Sequence, residues 1–341
     1  MRGLFPSLPL AAALLLGSAT NEARAVTYTV TDLGTLGGPT SYAWAVDGGK
    51  VVGYSVTTAG ELHGFLWTSS AGMVDLGTLG WNPGFSSQSD SVALGISGST
   101  IVGGSYTNAG PSHAFVKIGS GPLLDIGTLG GGESIAWGVD GSNVVGYSTL
   151  LQGSQLVTHA FLWNGSGSLQ DLGTLPGKTN SWARAVSGNT VVGTSWTGAS
   201  DHAAFIYTPT NGMVPLGTLG GAESFAYGVS GTNVVGRADT SSGESHAFFY
   251  PGSGPLQDMG TFGGNYSQAL DIYGTTAVGS AKSASGIDRA FLWTPTGGMV
   301  DITPLGWAWA IATGIDSQGR IVGYGLNPQN KEHAFLLTPN V

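Results

Sequence analysis

Residues 42–79 read YAWAVDGGKVVGYSVTTAGELHGFLWTSSAGMVDLGTL. Four short runs stand out: YAWAVD, KVVGYSV, HGFLWT and MVDLGTL. Each is rich in β-branched or aromatic residues, and turn formers fill the gaps, as expected of strands joined by tight turns. The unit recurs along the chain. A phrase of the DLGTLGG kind places its threonine at Thr35, Thr78, Thr128, Thr174, Thr218 and Thr261, and Pro304 takes that place in an altered seventh copy. A VVG-x-S phrase follows with Gly53, Gly103, Gly146, Gly193, Gly236, Gly279 and Gly323. An HAF phrase comes next with Phe65, Phe115, Phe161, Phe205, Phe248, Phe291 and Phe335. The VVG glycines lie 50, 43, 47, 43, 43 and 44 residues apart. A period of this length with four strand-like runs predicts a blade of a β-propeller, whereas one coil of a β-helix is shorter. Nothing after residue 25 shows a 3.6-residue apolar period.

The expected fold is therefore all-β: a seven-bladed β-propeller of four-stranded blades, one domain over residues 26–341. The two ends favour closure. VTYTVTDLGTL, from Val26, is a fourth-strand phrase with no earlier strands, and the terminal HAFLLTPNV is a third-strand phrase with no fourth. Joining them completes the last blade and leaves no open array edge. Residues 1–25 read as a signal peptide: Arg2, then the short apolar run from Leu8 to Leu16, then Ala23-Arg24-Ala25 before Val26. Export is expected, to the periplasm or the medium, with no membrane insertion after cleavage.

Composition narrows the partners. The chain has no cysteine, which excludes disulfides, thiolate metal sites and cysteine nucleophiles. Its formal net charge is −9 with no basic run, the wrong sign for a phosphate backbone, so nucleic acid is not an expected partner. Glycine fills 59 positions without a collagen period, so it marks turns and not a fibre. A monomer is expected.

All six histidines, His63, His113, His159, His202, His246 and His333, occupy one repeat position, and Arg289 takes the seventh. Equivalent atoms on neighbouring sheets stand roughly 10 Å apart. Zinc needs nitrogens within about 2.1 Å of one centre. The expectation is one structural histidine per blade, bonded to backbone or serine, with no metal and no cofactor. Asp32, Asp75, Asp125, Asp171, Asp258 and Asp301 precede the LGT position, with Pro215 in the remaining unit, and are expected to bond turn amides. The first strands carry S-x-A-x-x-V, with Ser41, Ala43 and Val46 in one copy. Large residues such as Tyr42, Trp44, Trp137, Phe225 and Tyr227 fall on the other face and are expected to pack on the next blade.

Function should sit where the copies stop agreeing. Thr78 and Gly103 are 25 residues apart against 18 or 19 elsewhere, through an insertion in GWNPGFSSQSD, Gly80 to Asp90. A three-residue insertion lies in TLLQGSQLVT, before His159. Both belong to connections expected on one face. The candidate ligand-binding residues there are Asn82, Phe85, Gln88, Asp90, Glu133, Asn180, Arg184, Glu223, Tyr266, Trp307 and Trp309. This mixture suits an extracellular glycan or a protein loop. No HExxH, GxSxG, phosphate loop or EF-hand spacing occurs. The expected role is a secreted non-catalytic binding scaffold for a glycan or cell-surface protein. The alternative is a carbohydrate-active hydrolase or lyase using a carboxylate pair on the loop face, drawn from Glu133, Glu223, Asp90 and Asp271.

DLGTLGG, VVGYS and HAFLW together resemble the HAF repeats of bacterial extracellular proteins, from Val26 onward. The resemblance implies secretion and a β-rich repeat fold. It implies no activity and transfers no site residue. Arg289, Pro215 and Pro304 depart from the pattern. Relatives often end in a sorting segment, and this chain ends at PNV, so a released product is expected.

Overall fold

A computed structural model describes residues 27–80 and 90–340. The expected signal peptide and the candidates Asn82, Phe85 and Gln88 lie outside the described residues. The described chain forms seven four-stranded antiparallel sheets and no α-helix, an arrangement consistent with a β-propeller. In sheet 1 the strands are Gly37–Asp47, Lys50–Thr57, Leu62–Thr68 and Gly72–Asp75, in that spatial order. Sheets 2 to 6 repeat it, and one parallel bridge, Ser245 to Tyr266, links sheets 5 and 6. Sheet 7 takes Trp309–Ile315, Ile321–Leu326 and Glu332–Pro339 from the C-terminal end, and its fourth strand is Tyr28–Asp32. That strand pairs from Tyr28 opposite Pro339 to Asp32 opposite Phe335.

The repeated phrases are the parts of this sheet. The VVG valines are buried on the second strand, and the following glycine lets the first strand cross close by. A Cβ on Gly53 would collide with the carbonyl oxygen of Tyr42, and all seven VVG glycines meet the same obstacle. The seven HAF phenylalanines are fully buried. The serine of S-x-A-x-x-V joins one sheet to the sheet before it. Ser41 Oγ donates to Gly34 O at 2.6 Å and accepts from the Ala334 N–H at 2.9 Å. Ser91, Ser134, Ser181 and Ser267 do the same towards Gly64, Ala114, Ala160 and Ala247.

Apolar burial follows the same joints. Each of seven clusters draws mainly on two neighbouring sheets. One of them joins Val322, Ala334 and Leu336 of the last sheet to Ala43, Val46, Val51 and Phe65 of the first. An open row of seven sheets has six such joints. The fourth-to-first connections touch the second-to-third turns through bridges Leu36–Thr57, Leu219–Thr240 and Phe262–Ser283, so both emerge on one face.

The repeated histidines and aspartates are partners of each other. His63, His113, His159, His246 and His333 place Nδ1 between 2.7 and 2.9 Å from Asp75, Asp125, Asp171, Asp258 and Asp32. This corrects the expected backbone or serine partner: the fourth strand sets the aspartate beside the histidine of the third. As expected, those aspartates also accept a turn N–H, such as Gly77 to Asp75 at 2.7 Å. Burial raises the Asp171 pKa, but bonds from His159 and the Gly173 N–H outweigh it and hold the carboxyl below its ordinary range. Where Pro215 removes the acid, His202 Nδ1 turns to Glu223 Oε1 at 2.7 Å.

Candidate functional site

The first strand of each sheet is innermost. A bulge, Ala43 to Ala45 in sheet 1, lies next to the residue that follows the buried alanine and is repeated in every sheet. Those residues are Trp44, Leu94, Trp137, Arg184, Tyr227, Leu270 and Thr313, and all seven line one cavity of about 510 Å3. Trp44, Trp137 and Tyr227 thus depart from the expectation that the large face packs on a neighbouring blade, whereas Tyr42 and Phe225 meet it, against Tyr324 and His202 of the adjoining sheets. The small face, Ser41 and Ala43, takes that joint, and the residue after the buried alanine faces the shared cavity.

Trp44, Trp137 and Tyr227 put rings on the wall, and further rings lie beside them. Trp44 meets Trp137 edge-on at 5.9 Å. Tyr147 stacks on Trp182 at 5.2 Å, Trp182 meets Trp196 at 4.9 Å, and His202 lies between Trp196 and Phe225 at 5.6 and 4.8 Å. The Arg184 guanidinium sits 3.9 Å over Trp137, 5.4 Å from Trp182 and 5.8 Å from Tyr227. Its side chain keeps some surface open to the lumen but is sunk among these rings, and burial pulls its pKa down. The indole N–H groups of Trp137 and Trp182 are buried with no acceptor among the described residues. Arg237 lies 3.9 Å over Phe225 and donates to Tyr227 Oη and Ser245 Oγ at 3.0 Å each. Burial, then Glu133, pushes the Tyr147 hydroxyl up to about 12.

The sequence candidates divide. Glu133, Arg184, Glu223 and Tyr266 belong to this arc: Glu133 beside Tyr147, Glu223 on His202, Tyr266 with its ring 5.9 Å from Arg237. Asp90 and Asn180 hold loops instead. Asp90 Oδ1 accepts the Leu62 N–H at 2.9 Å, and Asn180 Oδ1 accepts the Thr158 N–H at 3.0 Å. Trp307 is core, 7% exposed and edge-on to Phe335 at 5.3 Å. Trp309 lies elsewhere, in a cleft of about 430 Å3 shared with Tyr324, Asp288 and Glu332. The proposed acids Glu133, Glu223, Asp90 and Asp271 are each engaged separately. Asp271, at the bulge position of sheet 6, accepts the Ile315 N–H at 2.9 Å and the Ile272 N–H at 2.8 Å. Burial raises its pKa to about 6 against those two bonds. Asp47, Asp140, Asp271 and Asp316 share the 510 Å3 cavity, and Asp288 and Glu332 share the smaller cleft, where Asp288 is paired with Lys282 at 3.4 Å. Among the described residues, no three His, Cys, Asp or Glu side chains converge as a metal site. Sequence reasoning missed Trp137, Trp182, Tyr227 and Arg237 as site residues. The signal was available: Arg184 is a lone charge at a position that elsewhere holds Trp, Leu, Tyr or Thr.

No family model and no curated protein matches the chain. Solved structures do. A puromycin hydrolase S511A mutant complexed with PGG matches at TM-score 0.60 and 15% identity, over 87% of this chain and 51% of that one. A prolyl endopeptidase matches at 0.59 and 13%, over 92% and 50%. The Pyrococcus horikoshii acylaminoacyl peptidase matches at 0.56 and 11%, over 87% and 51%. The chain spans about half the length of each of these proteins. At such identities the likeness is one of fold. These neighbours are puromycin hydrolases and peptidases by name, and this overturns the expectation of a non-catalytic scaffold for a glycan or cell-surface protein in favour of the hydrolase alternative.

Proposed function

We propose that the seven sheets close into a seven-bladed β-propeller of the peptidase type, shut by the strand Tyr28–Asp32, and that the chain serves peptide hydrolysis by admitting a peptide into its axial channel. Bond cleavage is then supplied by a hydrolase unit that the propeller serves. Export with loss of residues 1–25, and kinship with the HAF repeats, belong to the same reading. The observation that carries it is the wall of the channel. Trp137 on that wall carries an N–H donor with no acceptor, and Arg184 beside it offers more. A peptide brings one carbonyl acceptor per residue, so it supplies what the wall lacks. The aromatic faces provide apolar cover for its side chains. The fold likeness to puromycin hydrolase and prolyl endopeptidase supports the same substrate class.

Equilibrium dialysis of the protein against a pool of short peptides and a pool of neutral oligosaccharides, read by mass spectrometry, tests this. Peptides should be retained and Trp137→Ala should release them. Peptides passing freely, or retained equally by Trp137→Ala, would remove the reading. Cleaved oligosaccharides would move it to the Asp288–Glu332 cleft.

A further inference from the structure

We infer that the axial channel contains an anion site built on Arg184, and that its ligand is a carboxylate. The inference stands without the peptide reading, because a small organic acid and a peptide C-terminus present the same group.

Arg184 makes no hydrogen bond or ion pair among the described residues; its contacts are with ring faces. Several other cations are matched to oxygens. Lys178 reaches Asp201 at 3.0 Å, Arg320 reaches Asp316 at 2.7 Å, and Arg237 has Tyr227 and Ser245. A guanidinium carries five N–H donors, and burying it among rings without an acceptor costs stability. The fold does not demand that cost, since the equivalent position is met by Leu94, Leu270 or Thr313 in other sheets. A ligand acceptor offsets it.

The surroundings choose the anion. Trp137 covers one face of the guanidinium, which leaves its N–H edges for a partner in the plane. A carboxylate matches that fork with two parallel bonds. One unpaired positive charge balances one negative charge. Arg237, the neighbouring cation, already donates to Tyr227 and Ser245, while Asp47, Asp140, Asp271 and Asp316, which line the same cavity and each accept an N–H, join Glu133 in repelling a second negative charge. A phosphate dianion therefore fits less well than a carboxylate.

Benzoate and its neutral counterpart benzamide separate this site from simple aromatic packing. Tryptophan fluorescence of the full chain, with Trp137 and Trp182 as reporters, should change saturably with benzoate and far less with benzamide. Arg184→Met should weaken benzoate by about tenfold or more, the scale of a charge-assisted hydrogen-bond pair. Arg184→Lys, which keeps the charge and loses the fork, should fall between. A short peptide with a free C-terminus, set against its C-terminal amide, identifies the source. A preference for the free acid assigns the site to peptide termini, and benzoate binding with no such preference assigns it to small acids. Equal binding of benzoate and benzamide overturns the anion site, and this comparison needs no variant. Unchanged benzoate binding by Arg184→Met overturns the role of Arg184. Inorganic phosphate competing better than benzoate overturns the carboxylate assignment.

Discussion

The third strands and the first strands each present one position seven times, and the two positions have diverged by opposite rules. On the third strand the residue is histidine in six sheets, and each histidine has a carboxylate partner. When Pro215 deletes one partner, Glu223 replaces it. On the first strand the residue is Trp44, Leu94, Trp137, Arg184, Tyr227, Leu270 or Thr313, with no shared chemistry. The first position lies inside a sheet, where strand pairing fixes what it meets. The second faces a lumen, where the fold asks only that the side chain not collide. Uniformity therefore marks the scaffold, and variety marks the surface open to selection for a ligand.

Stability measurements can break this contrast. Phe205→Ala removes a fully buried ring from the joint of sheets 3 and 4 and should cost about 3–5 kcal/mol in urea denaturation. Arg184→Met should change stability by no more than about 1 kcal/mol, because it removes an unpaired charge from a lumen. Comparable losses in the two variants would make the channel position part of the scaffold.

A smaller effect sharpens the contrast on the channel wall itself. Asp271 stands where the other sheets have glycine or alanine, and its pKa is raised to about 6. Its folded state binds the proton more tightly than the unfolded state. Its contribution is therefore full at low pH and is lost as pH rises from about 4 to 6, by at most about 2–3 kcal/mol. Asp171, held below its ordinary range, acts the other way and at lower pH: its contribution is lost as pH falls through its folded value. Asp271→Asn should flatten the slope of unfolding free energy between pH 4 and 6. A slope unchanged by the substitution would show that Asp271 does not titrate there.

The scaffold was legible in the sequence because it is written seven times. The periods of VVG and HAF, and the two incomplete terminal phrases, match the seven sheets and the pairing of Tyr28 with Pro339. The site was legible only in part. Alternation assigns Tyr42 and Trp44 to the same face, but it cannot say whether that face meets the next sheet or the lumen. Burial on both faces produces the same apolar pattern, and the answer depends on the innermost place of the strand. Loop length drew attention to the insertions, so Trp307, which is core, was grouped with Arg184, which is not. The histidine–aspartate pairing was hidden for another reason. Twelve residues separate the partners in four sheets and 301 in the last, and nothing in composition says that the third and fourth strands bring them together.

The smallest effect tests the rule at its exception. Pro215 pairs with Phe205 in the register that sets Asp75 opposite Phe65, so Pro215→Asp restores the acid to its repeat position. His202 then has a partner within its own sheet as well as Glu223 from the next. Losing the proline loosens the unfolded chain by about 0.4–1 kcal/mol, which offsets the new bond, so net stability should barely move. The coupling is more informative. Glu223→Gln should cost about 1 kcal/mol in the natural chain and clearly less beside Pro215→Asp, where His202 no longer depends on Glu223. Equal costs in the two backgrounds would mean that His202 cannot exchange partners. The stack of His202 between Trp196 and Phe225 would then be what holds the ring, and Glu223 would be the follower.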